Sequence, residues 1–523
     1  MKIGFKNFKK FKDFPMIELA PITFLVGPNN SGKSSFIKAL TFLLYNLQHG
    51  NKNFGKNMPF IEKVSFLQNT LNKFGWGDFQ TTLHHNPVEP TSEIIFEWDK
   101  NNCYFRFEFG ASQDDIKYAP ELLVNLPVKE VSIKDIKHEF YIRWTRNKEG
   151  WSNLAKINTK YLIIWLERNI QWLRNRIDAR QGLDIISHEY EDLEKWDRTR
   201  NHSIQERIEK KLQLYIDYLE KLNNYDEETI EFDLYVAYDR FQDEILNDYC
   251  SYELEEIRKM NPHLYDNFLY VEAHNANHSI LLNINDKNDY LAQTVSEFYN
   301  SAPSQKDYAL VYNWISEWLA QFEIGVGFEI IPHFGGETFT VDVIKETNTK
   351  EQYKVSLGTL GTGSIQLFIL LLKIGTYMAQ SGVMNPEPRD AATRVWMLHN
   401  TNKYKSCVII VEEPEQNLHP KLQSKLAELF LNAYTKTNGR IQFVVETHSE
   451  YLIRRTQVMV AKMVKEKNIS DYEPLEKENP FKVYYFPKEG LPYDMNYRLD
   501  GCFKNDFEPG FFDIAEDLAL EIL

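Results

Sequence analysis

The chain of 523 residues has only four cysteines, Cys103, Cys250, Cys407 and Cys502, and no two of them form a C-x-x-C pair. That excludes a disulfide framework and a zinc ribbon, and it suits a reducing compartment. The amino-terminal stretch MKIGFKNFKKFKDF lacks the apolar core of a secretory signal. The longest apolar run, Leu367 to Leu372, is far short of the ~20 residues that span a bilayer. These absences lead us to expect a cytoplasmic protein with no membrane partner. Positive charge is also in deficit, with a net charge of −15. Such a balance argues against a chain that coats nucleic acid indiscriminately, but it leaves room for a local basic groove. No internal repeat, low-complexity tract or flexible linker stands out. Apolar residues make up 43% of the chain and aromatic residues 14%, enough to bury a sizeable core.

What is present begins with Phe24-Leu25-Val26 followed by GPNNSGKSS, Gly27 to Ser35. The spelling G-x-x-x-x-G-K-S between an apolar strand and an apolar helical run is that of a phosphate-cradling loop. Gly27, Pro28, Asn29, Asn30, Ser31 and Gly32 curl the backbone so that successive N–H groups point inward. The helix opening near Lys33 adds the positive end of its dipole. Lys33 is expected on the β- and γ-phosphates of ATP, Ser34 on Mg²⁺, and Ser35 beside them.

Three further stretches complete that chemistry. In CVIIVEEPEQNLHP, Cys407 to Pro420, an apolar run ends in two carboxylates, as a buried parallel strand does when it delivers acids to a phosphate site. Glu412 is expected to hold Mg²⁺ and Glu413 to act as general base toward the attacking water. In IQFVVETHSE, a second buried strand ends at His448, placed to sense the γ-phosphate. In VSLGTLGTGSIQLFILLL, the turn Gly361-Thr362-Gly363-Ser364 opens an apolar helix, a candidate signature loop that binds the γ-phosphate held by a second subunit.

Between these motifs the texture shifts. We expect a lobe over 1–150 with the phosphate loop and β-hairpins, including strands at Glu93 to Trp98 and Cys103 to Phe109. From 151 to 262 glycine nearly vanishes and helical spacing takes over, which predicts a helical insertion. The run Ile208, Leu212, Tyr215, Leu219, Leu222 is heptad-like but spans about two heptads, too few for a coiled-coil arm. From Arg143 to Arg180 nine Lys or Arg face three acids, with Trp144, Trp151, Trp165 and Trp172 interleaved. That pattern fits either a phosphate-tracking groove, with DNA as a candidate partner, or a solvated helix face with tryptophans turned inward. A second lobe is expected over 263–460 and a C-terminal module over 461–523.

The four motifs in this order resemble ABC-type ATPases of the SMC-like branch, which includes DNA-repair and overcoming-lysogenization-defect (OLD) proteins. Within it, EEPEQNLHP and ETHSEYLIRR are similar to the ATPases of bacterial anti-phage systems such as the Septu type. Gly510-Phe511-Phe512-Asp513 resembles their short terminal module. The resemblance covers about residues 1–50 and 350–460. It implies an α/β fold, an ABC-type P-loop ATPase head with mixed and parallel β-sheet, a β-hairpin subdomain and a large helical insertion. It also implies a homodimer, or a larger assembly built from it, with two ATP molecules sandwiched between phosphate loop and signature loop. About 75 residues follow His448, too few for an OLD-type nuclease domain, and no second catalytic site is visible. A separately encoded effector, such as an HNH or toprim nuclease, is therefore expected. The alternative is a compact recombination-mediator ATPase in DNA repair. A transporter's ATPase subunit fits less well, because such subunits have no place for the helical insertion. Against the family pattern, Gly361 stands where a serine is usual, so Thr362 or Ser364 must supply the hydroxyl, and Gln80, His274 and Asn275 remain alternatives for the glutamine that joins Mg²⁺.

Overall fold

The computed structural model describes residues 1–50, 94–100, 102–110, 128–147, 150–180, 204–224, 228–233, 241–260, 267–273, 278–286, 289–301, 305–381, 407–509 and 511–512. In chain order, strands β1 (Lys2–Phe8), β2 (Phe11–Glu18) and β3 (Ile22–Val26) lead into helix α1 (Lys33–Gly50). Strands β4 (Ile94–Lys100), β5 (Cys103–Phe109), β6 (Val128–Asp135), β7 (Phe140–Asn147) and β8 (Gly150–Asn158) follow. Then come α2 (Thr159–Arg180), α3 (Ile204–Asn223), β9 (Thr229–Asp233) and α4 (Phe241–Met260). The next stretch holds β10 (Asn267–Val271), β11 (Leu282–Asn283), α5 (Tyr290–Ser301), α6 (Gln305–Gln321), β12 (Gly327–His333), β13 (Thr338–Glu346) and β14 (Gln352–Ser356). The last holds α7 (Thr362–Ser381), β15 (Cys407–Glu412), α8 (Pro420–Lys436), β16 (Ile441–Thr447), α9 (Glu450–Lys467), α10 (Tyr472–Glu478), β17 (Phe481–Tyr485) and β18 (Tyr493–Asp494). Among the described residues, 1–50 and 267–512 form one compact unit and 94–260 another.

The first unit is organised by a six-stranded sheet in the order β10-β15-β16-β3-β17-β18. The first five strands are parallel, and β18 closes the edge antiparallel to β17. The central strands are apolar without alternation, as strands covered on both faces must be: Ile22, Phe24, Ile409, Phe443 and Val445 are all buried. Phe24 sits between the rings of Phe430 on α8 and Phe481 on β17. A second, antiparallel sheet sets β13 between β11 and β12, with β14 also pairing β13. Its hairpin turns through Gly335 and Gly336, whose φ of 70° and 94° need glycine. Helix α7 packs on α5 and α6, and Gly375 brings it within reach of Ile315 and Val311. By length and composition Thr362–Ala379 could cross a membrane, but 83% of that stretch is buried inside the fold, so it is a core helix.

The amino-terminal region carries three strands, β1 to β3. β2 was hidden by its charges and by Pro15, which is tolerated because β2 is an edge strand paired only with β1. Phe5, Phe8, Phe11, Phe14 and Phe36 interlock in this hairpin and α1. The expected C-terminal module is not separate: β17 joins the central sheet beside β3 in register, Val483 against Phe24.

The second unit is an antiparallel meander, β4 to β9 each pairing the next, with α2, α3 and α4. The boundary drawn after residue 150 falls inside β8, so the helical insertion begins at Thr159 and is interrupted by β9. Strand spacing in β6–β8 was masked by mixed polar residues whose inward partners, such as Val131, Ile133 and Ile142, are buried. α2 buries Leu162, Trp165, Leu166, Ile170 and Leu173, with Trp165 against Tyr215 of α3 and Tyr249 of α4. Trp144 also points inward, whereas Trp172 is 52% exposed and Arg176 lies over its ring at 4.5 Å. Arg168, Asn169 and Trp172 line a shallow recess of about 330 Å³, and Arg168 and Arg174 are exposed. The basic stretch is thus partly a core face and partly an outward cationic and aromatic strip. If this strip tracks phosphates, reversing charge at Arg168, Arg174 and Arg176 weakens single-stranded DNA binding and flattens the dependence of log K on log salt. Filter binding across a salt series would return the strip to a solvated face if the slope were unchanged.

Candidate functional site

Parallel strands release their carboxyl ends on one side of the sheet, and ligands bind there. β3, β15 and β16 are neighbours, so Val26, Glu412 and Thr447 all end at that edge. Gly27 follows with φ 152°, and a Cβ there would lie 2.2 Å from the Phe486 carbonyl just beyond β17. Asn30 adopts φ 60° and Gly32 φ 109°, where a Cβ would strike the Phe11 ring at 2.5 Å. The Ser31 N–H donates to the Pro28 carbonyl, while its buried hydroxyl has no hydrogen-bond partner. Asn29 is exposed and lines the cavity described below.

Lys33 is 3% exposed at the start of α1. Its Nζ donates to the Gly27 and Pro28 carbonyls at 2.9 and 3.0 Å and lies 3.7 Å from Glu446 Oε1. The Ser34 hydroxyl donates to both Glu446 oxygens, at 3.2 and 3.3 Å. Ser35 is half-buried in the first turn of α1. Burial lowers the Lys33 pKa, opposed chiefly by Glu446. Glu446 is pushed up to about 7 by burial, with Lys33 pulling the other way and Glu412 adding repulsion.

Glu446 is a member of the site that motif reading passes over. It sits beside Glu412 in the parallel register of β16 and β15. A carboxylate ending a buried strand next to the phosphate-loop strand was the available signal. Burial raises the pKa of Glu412 as well, partly offset by a hydrogen bond from the Tyr270 hydroxyl. Glu413 has φ 44°, a strained conformation for a residue with a side chain, and its N–H donates to the Glu446 carbonyl at 2.8 Å. Its carboxylate lies 3.8 Å from His448 Nε2 and accepts from Gln416. Burial lowers the pKa of His448, reinforced by Lys33. The backbone N–H of His448 donates to Glu415 Oε1 at 2.6 Å, while Glu415 Oε2 is buried without a partner. Ser449 caps α9 through Leu452 N and donates to Gln423 at 2.6 Å. Asn29, Glu413, Glu415, Gln416, His448 and Ser449 are among the residues around an open cavity of about 470 Å³.

The structure brings Lys33, Ser34, Glu412, Glu413 and His448 together and sets Glu446, Glu415 and Lys10 beside them. Lys10 donates from the turn before β2 to the Ser31 carbonyl at 2.7 Å and to the Lys488 carbonyl at 2.9 Å. Gly361 to Ser364 lie at the opening of α7 and are not among the residues lining the cavity. Gly363 abuts the Asn417 carbonyl, where a Cβ would come to 2.5 Å, and nothing lies within 4 Å of a Cβ at Gly361. The Thr362 hydroxyl meets His278 Nε2 at 3.2 Å, and Ser364 N–H donates to the Gly361 carbonyl. Gln80, His274, Asn275, Gly510 and Asp513 lie outside the described residues.

These donors fit the expected ligands. Hydroxyl and carboxylate oxygens of Ser34, Glu412 and Glu446 are the hard donors that suit Mg²⁺. The unpartnered, buried Ser31 hydroxyl suits a phosphate held against the loop. Strand order, loop and acids define a P-loop ATPase fold of the α/β class. The chain belongs to the AAA ATPase domain family, which it matches over residues 1–453. Among solved structures, the SMC head domain from Thermotoga maritima is similar at 12% identity over 87% of this chain and 90% of that one, with a TM-score of 0.32. No curated protein matches the chain.

The raised Glu446 carboxyl sets a pH dependence for the nucleotide-free protein in chelator. Between its ordinary 4.5 and about 7 the folded chain binds a proton that the unfolded chain has lost, so this group costs stability as pH rises through that window. Glu446→Gln is expected to remove that component of the slope. Urea melts at pH 5 and pH 7.5 check it, and identical slopes in both proteins would contradict the assignment.

Proposed function

We propose that the chain hydrolyses ATP to ADP and phosphate at a composite site. The observation that carries this reading is the convergence of Lys33, Ser34, Glu412, Glu413 and His448 at the ends of three adjacent parallel strands. Lys33 exchanges its carbonyl and Glu446 contacts for phosphate oxygens. Ser34 and Glu412 hold Mg²⁺, which when bound neutralises phosphate charge. Glu413, oriented by Gln416 and by its strained backbone, accepts the proton of the attacking water. His448, kept neutral by burial, offers a ring nitrogen to that water or to the γ-phosphate.

The second half of the site comes from another copy of the chain. Gly361, open on its outer side, and the Thr362 or Ser364 hydroxyl face the γ-phosphate bound by that copy, giving a homodimer around two nucleotides. Residues 363 and 417 touch within one chain, so phosphate status is passed from the Glu413 loop to the signature turn. We further propose, from the resemblance of EEPEQNLHP and ETHSEYLIRR, that this cytoplasmic ATPase is the sensor or scaffold of an anti-phage system. It controls a separately encoded effector such as an HNH or toprim nuclease. The recombination-mediator reading shares the same ATP cycle and differs in its partner.

Glu413→Gln is expected to leave ATP binding intact, lower turnover about 10²–10⁴-fold and trap an ATP-dependent dimer. Phosphate-release assays together with ultracentrifugation check it. Turnover at the wild-type rate would remove Glu413 from its role.

A further inference from the structure

The second unit contains a polar cluster that the nucleotide chemistry does not use. Asp135 ends β6, His138 sits in the following turn, and Glu253 lies in the middle of α4. Asp135 is fully buried and Glu253 is 3% exposed, yet both are carboxylates. His138 Nδ1 lies 2.9 Å from Asp135 Oδ2 and 3.3 Å from Glu253 Oε2. The three donor atoms all fall within 4.8 Å of one another. We propose that Asp135, His138 and Glu253 bind one divalent transition-metal ion of the Zn²⁺ type, which fastens the β6–β7 turn to α4.

The two spacings from His138, 2.9 and 3.3 Å, are close to those of neighbouring ligands around a small tetrahedral ion. Bonds of about 2.0–2.1 Å at tetrahedral angles place neighbouring donors roughly 3.3 Å apart. The supporting contacts leave the right atoms free. The backbone N–H groups of Lys137 and His138 donate to Asp135 Oδ1 at 2.8 and 3.3 Å, which fixes the carboxylate and turns Oδ2 toward His138. Such outer hydrogen bonds orient a ligating carboxylate. The His138 ring is held edge-on by Tyr161 at 5.4 Å. Glu253 Oε2 is buried, has no hydrogen bond of ordinary geometry and lies 3.3 Å from His138 Nδ1, with the Tyr249 hydroxyl as the neutral neighbour of the carboxylate. His138 keeps 22% of its side chain exposed, so a water has access as a fourth ligand.

Charge favours an ion over a bare hydrogen-bonded triad. The charged groups acting on Glu253 are His138, Asp135 and Glu256. Two buried carboxylates bridged by an imidazolium still carry a net negative charge in a desolvated place, which is costly. A divalent cation with neutral imidazole cancels both carboxylates.

The test uses the full-length chain in a His448→Ala background, which removes the other potential chelating cluster at the nucleotide site. After chelator treatment and without nucleotide, Co²⁺ alone is titrated and its visible absorption is read, then displaced by Zn²⁺. The expected result is one equivalent of ion with the intense bands of four-coordinate Co²⁺, a raised melting temperature, and loss of the bands in His138→Ala and in Glu253→Gln. Glu253→Gln keeps the size and a hydrogen-bonding amide, so it decides the matter if His138→Ala fails to fold. No uptake by the parent, or uptake unchanged in Glu253→Gln, would overturn the proposal and leave an imidazolium bridging two acids.

Discussion

One electrostatic constraint governs the nucleotide edge: Glu413, Glu415 and Glu446 act on the buried ammonium of Lys33, while Glu412 beside Glu446 is offset by Lys38. Burying carboxylates is costly unless they are paired or protonated. Here burial raises Glu412, Glu415 and Glu446, while Lys33 is pulled in the opposite direction from its ordinary value by the same loss of water. Lys33 and Ser34 partly satisfy Glu446, and the His448 N–H satisfies one oxygen of Glu415. The arrangement is rich in oxygen donors and poor in positive charge, which is the chemistry that selects Mg²⁺ with a polyphosphate. Much of the surrounding fold serves to hold these groups at their spacing.

The holding is done by elements remote in sequence. β16 between β15 and β3 brings Glu446 beside Glu412 and beneath the phosphate loop. The β1–β2 hairpin supports the loop from outside through Phe11 under Gly32 and Lys10 on the Ser31 carbonyl. The chain returns after α10 to place the Phe486 carbonyl against Gly27, which ties β17 to the same loop. Glu413 takes a left-handed conformation because its N–H must reach the Glu446 carbonyl while its side chain turns toward His448. Such strain persists where the surroundings over-determine it, and sites of function are where it collects.

What could be read from the sequence was local. Gly27 to Ser34, Glu412, Glu413 and His448 each sit in a contiguous pattern whose period and flanking residues declare strand, turn or helix. Glu446 was not legible, because its role depends on which strand lies next to β3, and register between parallel strands leaves no local trace. Lys10 and Phe486 were invisible for the same reason. β2 was obscured by Pro15 and its charges, and β6 to β8 by polar residues on their outer face. The tryptophans of the basic stretch divided, Trp144 and Trp165 inward and Trp172 outward, and Trp165 is held by contacts with α3 and α4 that no one-dimensional pattern reports. The Asp135, His138 and Glu253 cluster likewise arises only when α4 meets the β6–β7 turn.

Gly361 to Ser364 stand at the opening of α7, outside the lining of the cavity bounded by Asn29, Glu413 and His448, while Gly363 abuts the loop that carries Asn417. If a second copy completes the site, as proposed above, the rate depends on encounter between chains. The most direct measurement is the ATP turnover rate per chain at saturating ATP and Mg²⁺, over a wide range of chain concentration. The account predicts a rate per chain that climbs with concentration and then levels off as dimers fill. A rate per chain that stays constant from the most dilute to the most concentrated sample would contradict it.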